Sequence, residues 1–172
     1  MQHVKEVAFN LMASNGFDAV TVEQIAGASD VSPSTVYRYF GTKDALVLSS
    51  DRGAKMVERL RKDDSERTAL EALRKAAVKV WGSDDHAVVE LDLANQNETL
   101  LQGFERQLLD QRPALAAALA ERRGAELAGN RDIACAAAGI GVLCVTLSTW
   151  ARRGGGKKNL DKALDKAFTA LT

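Results

Sequence analysis

The residues whose types and spacing could do chemistry lie between Thr21 and Phe40. One short stretch there carries hydroxyl, phenol and guanidinium groups: Ser34, Thr35, Tyr37, Arg38 and Tyr39. Such groups form hydrogen bonds with base edges and phosphates, which is how a helix in a DNA major groove reads sequence. Lys43 follows at the start of the next predicted helix, where the helix dipole disfavours a cation, and this position suits an external phosphate. An ordinary solvated turn with half-packed tyrosines would give the same spacing.

Two short helices must position these side chains. Thr21 and Gln24 have the spacing of a capping box, which predicts the start of the first helix. Ser32 is a favoured N-cap and Pro33 a favoured first helical residue, which together predict the start of the second. Only the residues SDVS separate the two helices. This is the geometry of a helix-turn-helix, whose second helix fits a groove about 12 Å wide.

Helical spacing of apolar residues continues along the chain and predicts about nine helices, with no competing strand pattern. The first helix is expected to end near Asn15, before Gly16. Thr42 is expected to cap one long fourth helix that runs through Lys62. Pro113 either kinks the seventh helix or starts a new one, since proline costs about 3 kcal/mol inside a helix.

The last two predicted helices begin at Asn130 and Asn159, which are expected to cap them, with a flexible joint at Gly154–Gly156 between them. The ninth helix is expected to turn four side chains inward: Leu160, Leu164, Phe168 and Leu171. Residues 133–151 carry no charge and approach the roughly 20 residues that span a bilayer. They are mostly Ala, Gly, Cys, Ser and Thr, which are only weakly apolar, so a buried helix is favoured over a membrane span.

Composition limits the class of protein. The chain has 172 residues, 46% hydrophobic and 27% charged, which is typical of a folded soluble protein and not of a disordered or fibrous one. Basic and acidic residues both number 23, so any nucleic-acid binding must come from a local arrangement. Cys135 and Cys144 fall on opposite faces of one predicted helix and cannot pair, which favours a reduced, cytoplasmic chain. His3 and His86 lack partners at metal-site spacing, so no metal and no cofactor is expected.

The stretch GFDAVTVEQIAGASDVSPSTVYRYFGTKDAL closely resembles the N-terminal DNA-binding module of the TetR (tetracycline-repressor-type) regulator family. The Gly-Phe, Thr, Ile-Ala, Val-Ser, Thr-x-Tyr-x-Tyr-Phe and Lys positions align without a gap. The resemblance implies an all-α fold in two domains. Residues 1–43 would be a three-helix DNA-binding domain with a helix-turn-helix, and residues 44–172 a helical ligand-binding and dimerisation domain.

The resemblance also implies a role for each matching position. DNA phosphates would be held by the residues Thr21, Tyr37 and Lys43. Base edges or flanking phosphates would be contacted by Ser34, Thr35, Arg38 and Tyr39. By the general geometry of arginine and guanine, Arg38 is the best candidate for a bidentate base contact.

Two departures from the family pattern are visible. Asp30 stands at the turn position usually held by glycine, and aspartate tolerates left-handed backbone at some cost. From Met1 to Lys43 there are three basic side chains against four acidic ones, a net charge of minus one. This balance is unusual for a DNA-binding module and predicts that the natural chain carries a short basic N-terminal arm that this chain lacks.

For the helical body, the resemblance implies an inducer pocket among the fifth to eighth predicted helices. The candidate lining groups are the large or polar residues there: Trp81, His86, Glu90, Phe104 and Trp150. Ordinary packing also explains the three aromatic residues, and a helix surface also explains the i, i+4 pair of His86 and Glu90. The eighth and ninth predicted helices are expected to form half of an intermolecular four-helix bundle, giving a C2 homodimer.

The predicted function is a ligand-responsive transcriptional regulator. It would be a repressor that binds a palindromic operator in double-stranded DNA as a homodimer and is released by a small-molecule inducer. No enzyme is expected, because the carboxylates of Asp84, Asp85, Glu90 and Asp92 have ordinary helix-surface spacings and no motif around them. The alternative is a helical dimeric adaptor without DNA-binding activity.

Overall fold

A computed structural model describes residues 1–48, 51–65, 67–82, 84–154 and 159–171. Every regular element within these ranges is a helix, which confirms the predicted all-α class. In chain order the helices are α1 (Gln2–Asn15), α2 (Val22–Ala28), α3 (Pro33–Phe40), α4 (Asp44–Val47), α5 (Asp51–Arg61), α6 (Ala69–Trp81), α7 (Asp85–Gln96), α8 (Glu98–Asp110), α9 (Arg112–Arg122), α10 (Asn130–Arg152) and α11 (Leu160–Thr169).

These helices form two compact units. The first unit consists of Met1–Ser49 and Val89–Phe104, and the second of Ser50–Val88 and Glu105–Thr172. The first unit therefore contains α1 to α4 together with the C-terminal part of α7 and the N-terminal part of α8. The division at residue 43 that the sequence suggests stays a prediction.

The core of the first unit is formed by one face of each of its short helices. In α1, Val4, Ala8 and Met12 recur every four residues and are buried. Ile25 and Ala26 of α2 are fully buried as well. Burial of such a stripe is what stabilises helices this short, since isolated helices below about 12 residues are marginal in water.

The long helix expected from Thr42 to Lys62 is wrong, because the structure divides it into α4 and α5. Lys43, and not Thr42, is the N-cap of α4, and the helix ends at Leu48, whose backbone is extended (φ −68°, ψ 119°). Leu46, Val47 and Leu48 are all buried. Three consecutive residues spread over about 200° of a helix and cannot share one face, so the chain leaves the helix to bury them all.

The structure decides between a kinked helix and a new helix at Pro113. The proline lies in the first turn of a separate helix, α9, where its missing N–H costs nothing. With this helix and the divided fourth helix, the described ranges hold eleven helices, more than the nine expected.

The caps predicted for the last two helices differ from those observed. The N-cap of α10 is Gly129, whose N–H donates to the Asp132 carboxylate at 2.9 Å, and Asn130 is the first helical residue. Asn159 does occupy the N-cap of α11, but in a left-handed conformation (φ 89°) and without a side-chain cap bond. Of the predicted Gly154–Gly156 joint, Gly155 and Gly156 lie outside the described residues.

The second unit is built around α10. Gly139 allows a close approach to α6, since a Cβ there would lie 3.0 Å from Leu73 Cδ1. The apolar face of α11 packs inside the subunit, against α6 and α10, through Leu160, Leu164 and Phe168. Leu171, expected to point inward, is exposed instead, because α11 has ended before it.

Helix α10 is long and apolar enough to cross a membrane by length and composition alone, with a mean hydropathy of 1.8 over its most apolar window. A third of that window is buried inside the protein. The buried residues follow helical spacing along one side, at Ala136, Ile140, Leu143 and Leu147. This pattern is that of a core helix in a helical body.

An ion pair holds the N-terminus of α10 in place, and the neighbouring Arg122 binds the connection between α5 and α6. The guanidinium of Arg123 donates to the two oxygens of Asp132 at 3.1 and 2.8 Å. Asp132 is buried, and the hydrogen bond from Arg123 is the largest cause that keeps the pKa of this carboxyl below its usual value. Arg122 donates to the backbone oxygens of three residues in the connection between α5 and α6: Asp63, Ser65 and Arg67.

Candidate nucleic-acid interface

The first helix of the helix-turn-helix, α2, begins with the predicted capping box. The N–H of Gln24 donates to Thr21 Oγ1 at 3.2 Å, and the N–H of Thr21 donates to Gln24 Oε1 at 2.9 Å. The Thr21 hydroxyl thus uses one lone pair inside the protein. Its O–H is left to donate outward, and the side chain is exposed.

The turn between α2 and α3 is tight. The N–H of Val31 donates to the carbonyl of Ala26 at 3.0 Å, which closes the end of α2. Asp30 adopts φ 54°, so the left-handed conformation expected at this non-glycine position is confirmed. Aspartate accepts this region more readily than most residues do.

Hydroxyl groups cluster at the N-terminus of α3. Ser32 Oγ accepts the N–H of Thr35 at 3.2 Å, the N-cap bond predicted for it. The same oxygen lies 2.9 Å from both Ser34 Oγ and Thr35 Oγ1. The hydroxyls of Ser34 and Thr35 are therefore held in fixed directions at the end of the helix that enters a groove in helix-turn-helix proteins.

The rest of α3 faces solvent. Val36 is its one buried residue among the helix positions described. Tyr37 and Tyr39 are 50% and 59% exposed, and Arg38 is exposed beside them. This contradicts half-packed tyrosines on an ordinary turn. The side chains of α3 predicted to contact DNA share an outward surface with hydrogen-bond donors and acceptors available.

Three cations of the first unit lie over aromatic rings, an arrangement that the sequence did not predict. Lys43 Nζ lies 4.2 Å from the ring centroid of Phe17, and Lys5 Nζ lies 5.9 Å from that of Phe40. The guanidinium of Arg38 lies 5.2 Å from the ring of Tyr39. Phe17 and Lys43 are far apart in the chain, so no local spacing could have paired them.

The family model for bacterial regulatory proteins of the tetR family matches residues 6–49, which contain most of α1 and all of α2 to α4. This part of the chain is therefore similar to the DNA-binding module of tetR-family regulators. Its α2 and α3 are the helix-turn-helix of a TetR-family DNA-binding module.

Two curated relatives from Bacillus subtilis (strain 168) show how far this similarity extends. The uncharacterized HTH-type transcriptional regulator YdeS is 38% identical over 47 residues, or 27% of this chain and 24% of YdeS. The chain thus matches about a quarter of the length of YdeS. The fatty acid metabolism regulator protein is 28% identical over 155 residues, or 84% of this chain and 80% of that protein.

A solved structure supports the TetR-like fold over the whole chain. The transcriptional regulator FadR from Bacillus subtilis, in complex with stearoyl-CoA, has a TM-score of 0.64 to this chain at 21% identity. The similarity covers 99% of this chain and 96% of that one. The chain therefore shares its helical architecture with FadR.

The residues suggested for a ligand pocket are divided between the two units. Trp81 and Trp150 are buried in the second unit, whereas Glu90 and Phe104 are buried in the first. His86 is exposed. Glu90 is only 1% exposed, so it is not the surface residue that the simpler interpretation required.

Arg52 is a buried cation that the sequence did not indicate. It is 2% exposed, its Nε donates to Asp84 Oδ2 at 2.8 Å, and its guanidinium lies 4.7 Å from the ring of Trp81. Burial alone would raise the pKa of Asp84, but the charge and hydrogen bond of Arg52 outweigh it and lower that pKa. Asp84 Oδ1 also accepts the N–H groups of His86 and Ala87, so one carboxylate caps α7 and pairs with Arg52.

A charged cleft of about 670 Å³ opens beside this pair in the second unit. Its walls come from α5, α6 and the start of α7, and they carry Lys55, Glu58, Arg59, Lys62, Lys79, Val80, Asp84, Asp85 and His86. His86, which the sequence suggested as a pocket residue, thus lines this charged cleft. Because Glu58 pairs with Lys62 at 2.6 Å, part of this charge is internally balanced.

Proposed function

We propose that this TetR-family protein is a transcriptional repressor that binds a palindromic operator as a homodimer and is released by a small-molecule ligand. The observation that carries the proposal is the outward face of α3, on which Tyr37, Arg38 and Tyr39 are exposed while Val36 anchors the helix. The remaining predicted contacts, Thr21, Ser34, Thr35 and Lys43, lie on the same helix-turn-helix or directly after it. No packing role requires exposed tyrosines, whereas groove recognition does use such groups.

An exposed apolar face on α10 supports the homodimer. Ile133 and Val145 are 53% and 68% exposed, and Ala137 and Gly141 between them are exposed too. These four residues recur every four positions, so they form one stripe. Small residues in the middle of the stripe permit close helix contact, and α10 with α11 would form half of an intermolecular four-helix bundle.

Val145→Lys should convert the dimer to a monomer at micromolar concentration, because two like charges would meet across the two-fold axis and lose their hydration. Light scattering measures the change in mass. Leu127→Lys is the matched control, since Leu127 is exposed but lies outside the stripe. A wild-type chain that is monomeric at the same concentration would contradict the dimer.

For the ligand, we propose an acyl-CoA thioester, by analogy with the stearoyl-CoA in the related FadR structure. Trp81 and Trp150, both buried in the second unit, would contact the bound molecule, with His86 of the same unit nearer the surface. The predominantly aliphatic core of the helical body suits an apolar chain. The protein would act in the cytoplasm, where both DNA and such thioesters are found.

A hydrogen bond within the first unit supports a route from ligand to DNA. Asn97 Oδ1 accepts the N–H of Leu100 at 2.9 Å and so caps α8, while Asn97 Nδ2 donates to Asp18 Oδ1 at 2.9 Å. Asp18 lies between α1 and α2. A ligand that shifts α7 and α8 would thereby bias the position of the helix-turn-helix, and it needs only a differential affinity for the two conformations.

The experiment is selection of a bound duplex from a double-stranded library with a random centre, followed by titration with stearoyl-CoA. The proposal predicts a two-fold symmetric sequence with half-sites about 34 to 36 Å apart, one helical turn of DNA or a multiple of it. Stearoyl-CoA should release the duplex, and CoA without an acyl chain should not. An adaptor without DNA-binding activity would enrich no sequence.

A further inference from the structure

Only three lysine or arginine side chains occur in residues 1–48, namely Lys5, Arg38 and Lys43. Each of them lies over an aromatic ring. None of them forms an ion pair within the part of the chain that the structure describes. The lysine and arginine side chains of this part of the first unit therefore lie over π faces and are not paired with carboxylates.

Several cations of the second unit are paired with carboxylates instead. Lys55 pairs with Asp51 at 2.7 Å, Lys62 with Glu58 at 2.6 Å, and Arg61 with Glu121 at 2.6 Å. A carboxylate neutralises the cation and takes up its N–H donors. These lysines and arginines keep little unsatisfied charge for an external anion.

An aromatic ring acts on a cation in another way. Its face attracts an ammonium group within about 6 Å of the ring centroid, yet it accepts no full hydrogen bond and carries no net charge. A lysine held over a ring is therefore restricted in position while its donors stay available. The ring reduces the conformational entropy that the side chain would lose on binding a phosphate.

Of these three cations, Lys5 is the one that the family resemblance did not assign to DNA. It lies on α1, half-buried, with its ammonium beside Phe40 at the C-terminal end of α3. Lys43, already predicted to hold a phosphate, follows α3 by three residues and lies over Phe17. One ammonium thus lies beside the last residue of α3, and the other belongs to a residue three positions after that helix, each over its own ring.

We infer that Lys5 is a second phosphate-binding lysine of the DNA-binding module, and that Phe40 and Phe17 are positioning residues that hold Lys5 and Lys43 toward the DNA backbone. The inference rests on the proposed function. It also explains how a module with more acidic than basic residues binds DNA: few cations contribute, and each is held ready and unneutralised.

The test uses the duplex that the full-length wild-type chain selects, with affinity measured by fluorescence anisotropy over a range of salt concentrations. Each lost phosphate contact reduces the slope of log affinity against log salt by about 0.9 in magnitude, or about 1.8 for the two subunits of a dimer. Lys5→Gln should reduce the slope by this amount. Lys55→Gln is the control, because Lys55 is already paired with Asp51 and should leave the slope unchanged.

The positioning role is tested by pairing each ring variant with its lysine variant. Phe40→Leu should weaken binding several-fold in the wild-type chain and have no effect in the Lys5→Gln chain, and Phe17→Leu should behave in the same way with Lys43→Gln. Equal weakening in both backgrounds would mean that the rings act through packing alone, and would overturn the positioning role.

The outcomes separate this inference from the proposed function. An unchanged salt slope for Lys5→Gln, with the duplex still bound, would overturn the lysine assignment alone. Failure of the wild-type chain to bind any duplex at low salt would overturn the proposed function, and with it this inference.

Discussion

Replacement of Arg38 by alanine together with Tyr37 by phenylalanine should remove most of the affinity for the selected duplex. A bidentate arginine contact is worth about 1–3 kcal/mol against the wrong base, and a dimer makes it twice. The expected loss is about 2–6 kcal/mol, or roughly 30-fold to 10⁴-fold in affinity. The helix itself should persist, because Val36 supplies its buried anchor. Anisotropy titration of the labelled duplex measures the loss.

The control for this double variant is Arg106→Ala, which removes an exposed arginine from α8. Its affinity should equal that of the wild type. For the double variant, the affinity for a random duplex should fall much less than for the selected one, since phosphate contacts carry no sequence information. Undiminished binding of the selected duplex would show that α3 is not the recognition helix.

Asp84→Ala should produce the largest loss of stability. The substitution removes the carboxylate that accepts a hydrogen bond from the buried guanidinium of Arg52, and the same carboxylate accepts two N–H groups at the start of α7. Removing one partner of a buried pair costs about 3–5 kcal/mol, and the partial exposure of Asp84 places the expected loss near 3 kcal/mol. Guanidinium unfolding at fixed protein concentration measures it, with exposed Asp64→Ala as the control.

The same pair predicts a pH dependence. Because the folded-state pKa of Asp84 is lowered, its contribution is present above the unfolded pKa of about 3.9 and is lost as pH falls through the folded pKa. The difference in unfolding free energy between wild type and Asp84→Ala should therefore shrink below about pH 4. A difference that stays constant down to the lowest pH at which the chain folds would contradict the role of the ionised carboxylate.

Local chemistry made the helix-turn-helix predictable from the sequence. Thr21 and Ser32 cap their helices with hydrogen bonds from their side chains to residues three positions later. Pro33 fits the first turn because its ring fixes φ near the helical value. The left-handed Asp30 could be predicted from the family pattern. Each of these features depends on neighbours in the chain, so no tertiary information was needed.

Tertiary contacts decided what the sequence could not show. The break after α4 reflects burial of Leu46, Val47 and Leu48 together, which helical periodicity alone does not favour. Arg52 is buried against the expectation for a charged residue, although its i, i+4 spacing from Met56, on the apolar face of α5, was an available signal. The lysine and ring pairs join residues far apart in the chain, and no pattern within one helix indicates them.

The most direct measurement of the central claim is the affinity of the wild-type chain for its selected duplex at two salt concentrations. Lys43 from two subunits predicts a slope of about −1.8 in log affinity against log salt, and Lys5 raises it to about −3.6. Between about 50 mM and 200 mM salt, affinity should fall by about tenfold with Lys43 alone and by about 100-fold with both lysines. A chain that binds no duplex at the lower salt concentration, or whose affinity does not change with salt, would contradict a DNA-binding regulator and favour a helical adaptor.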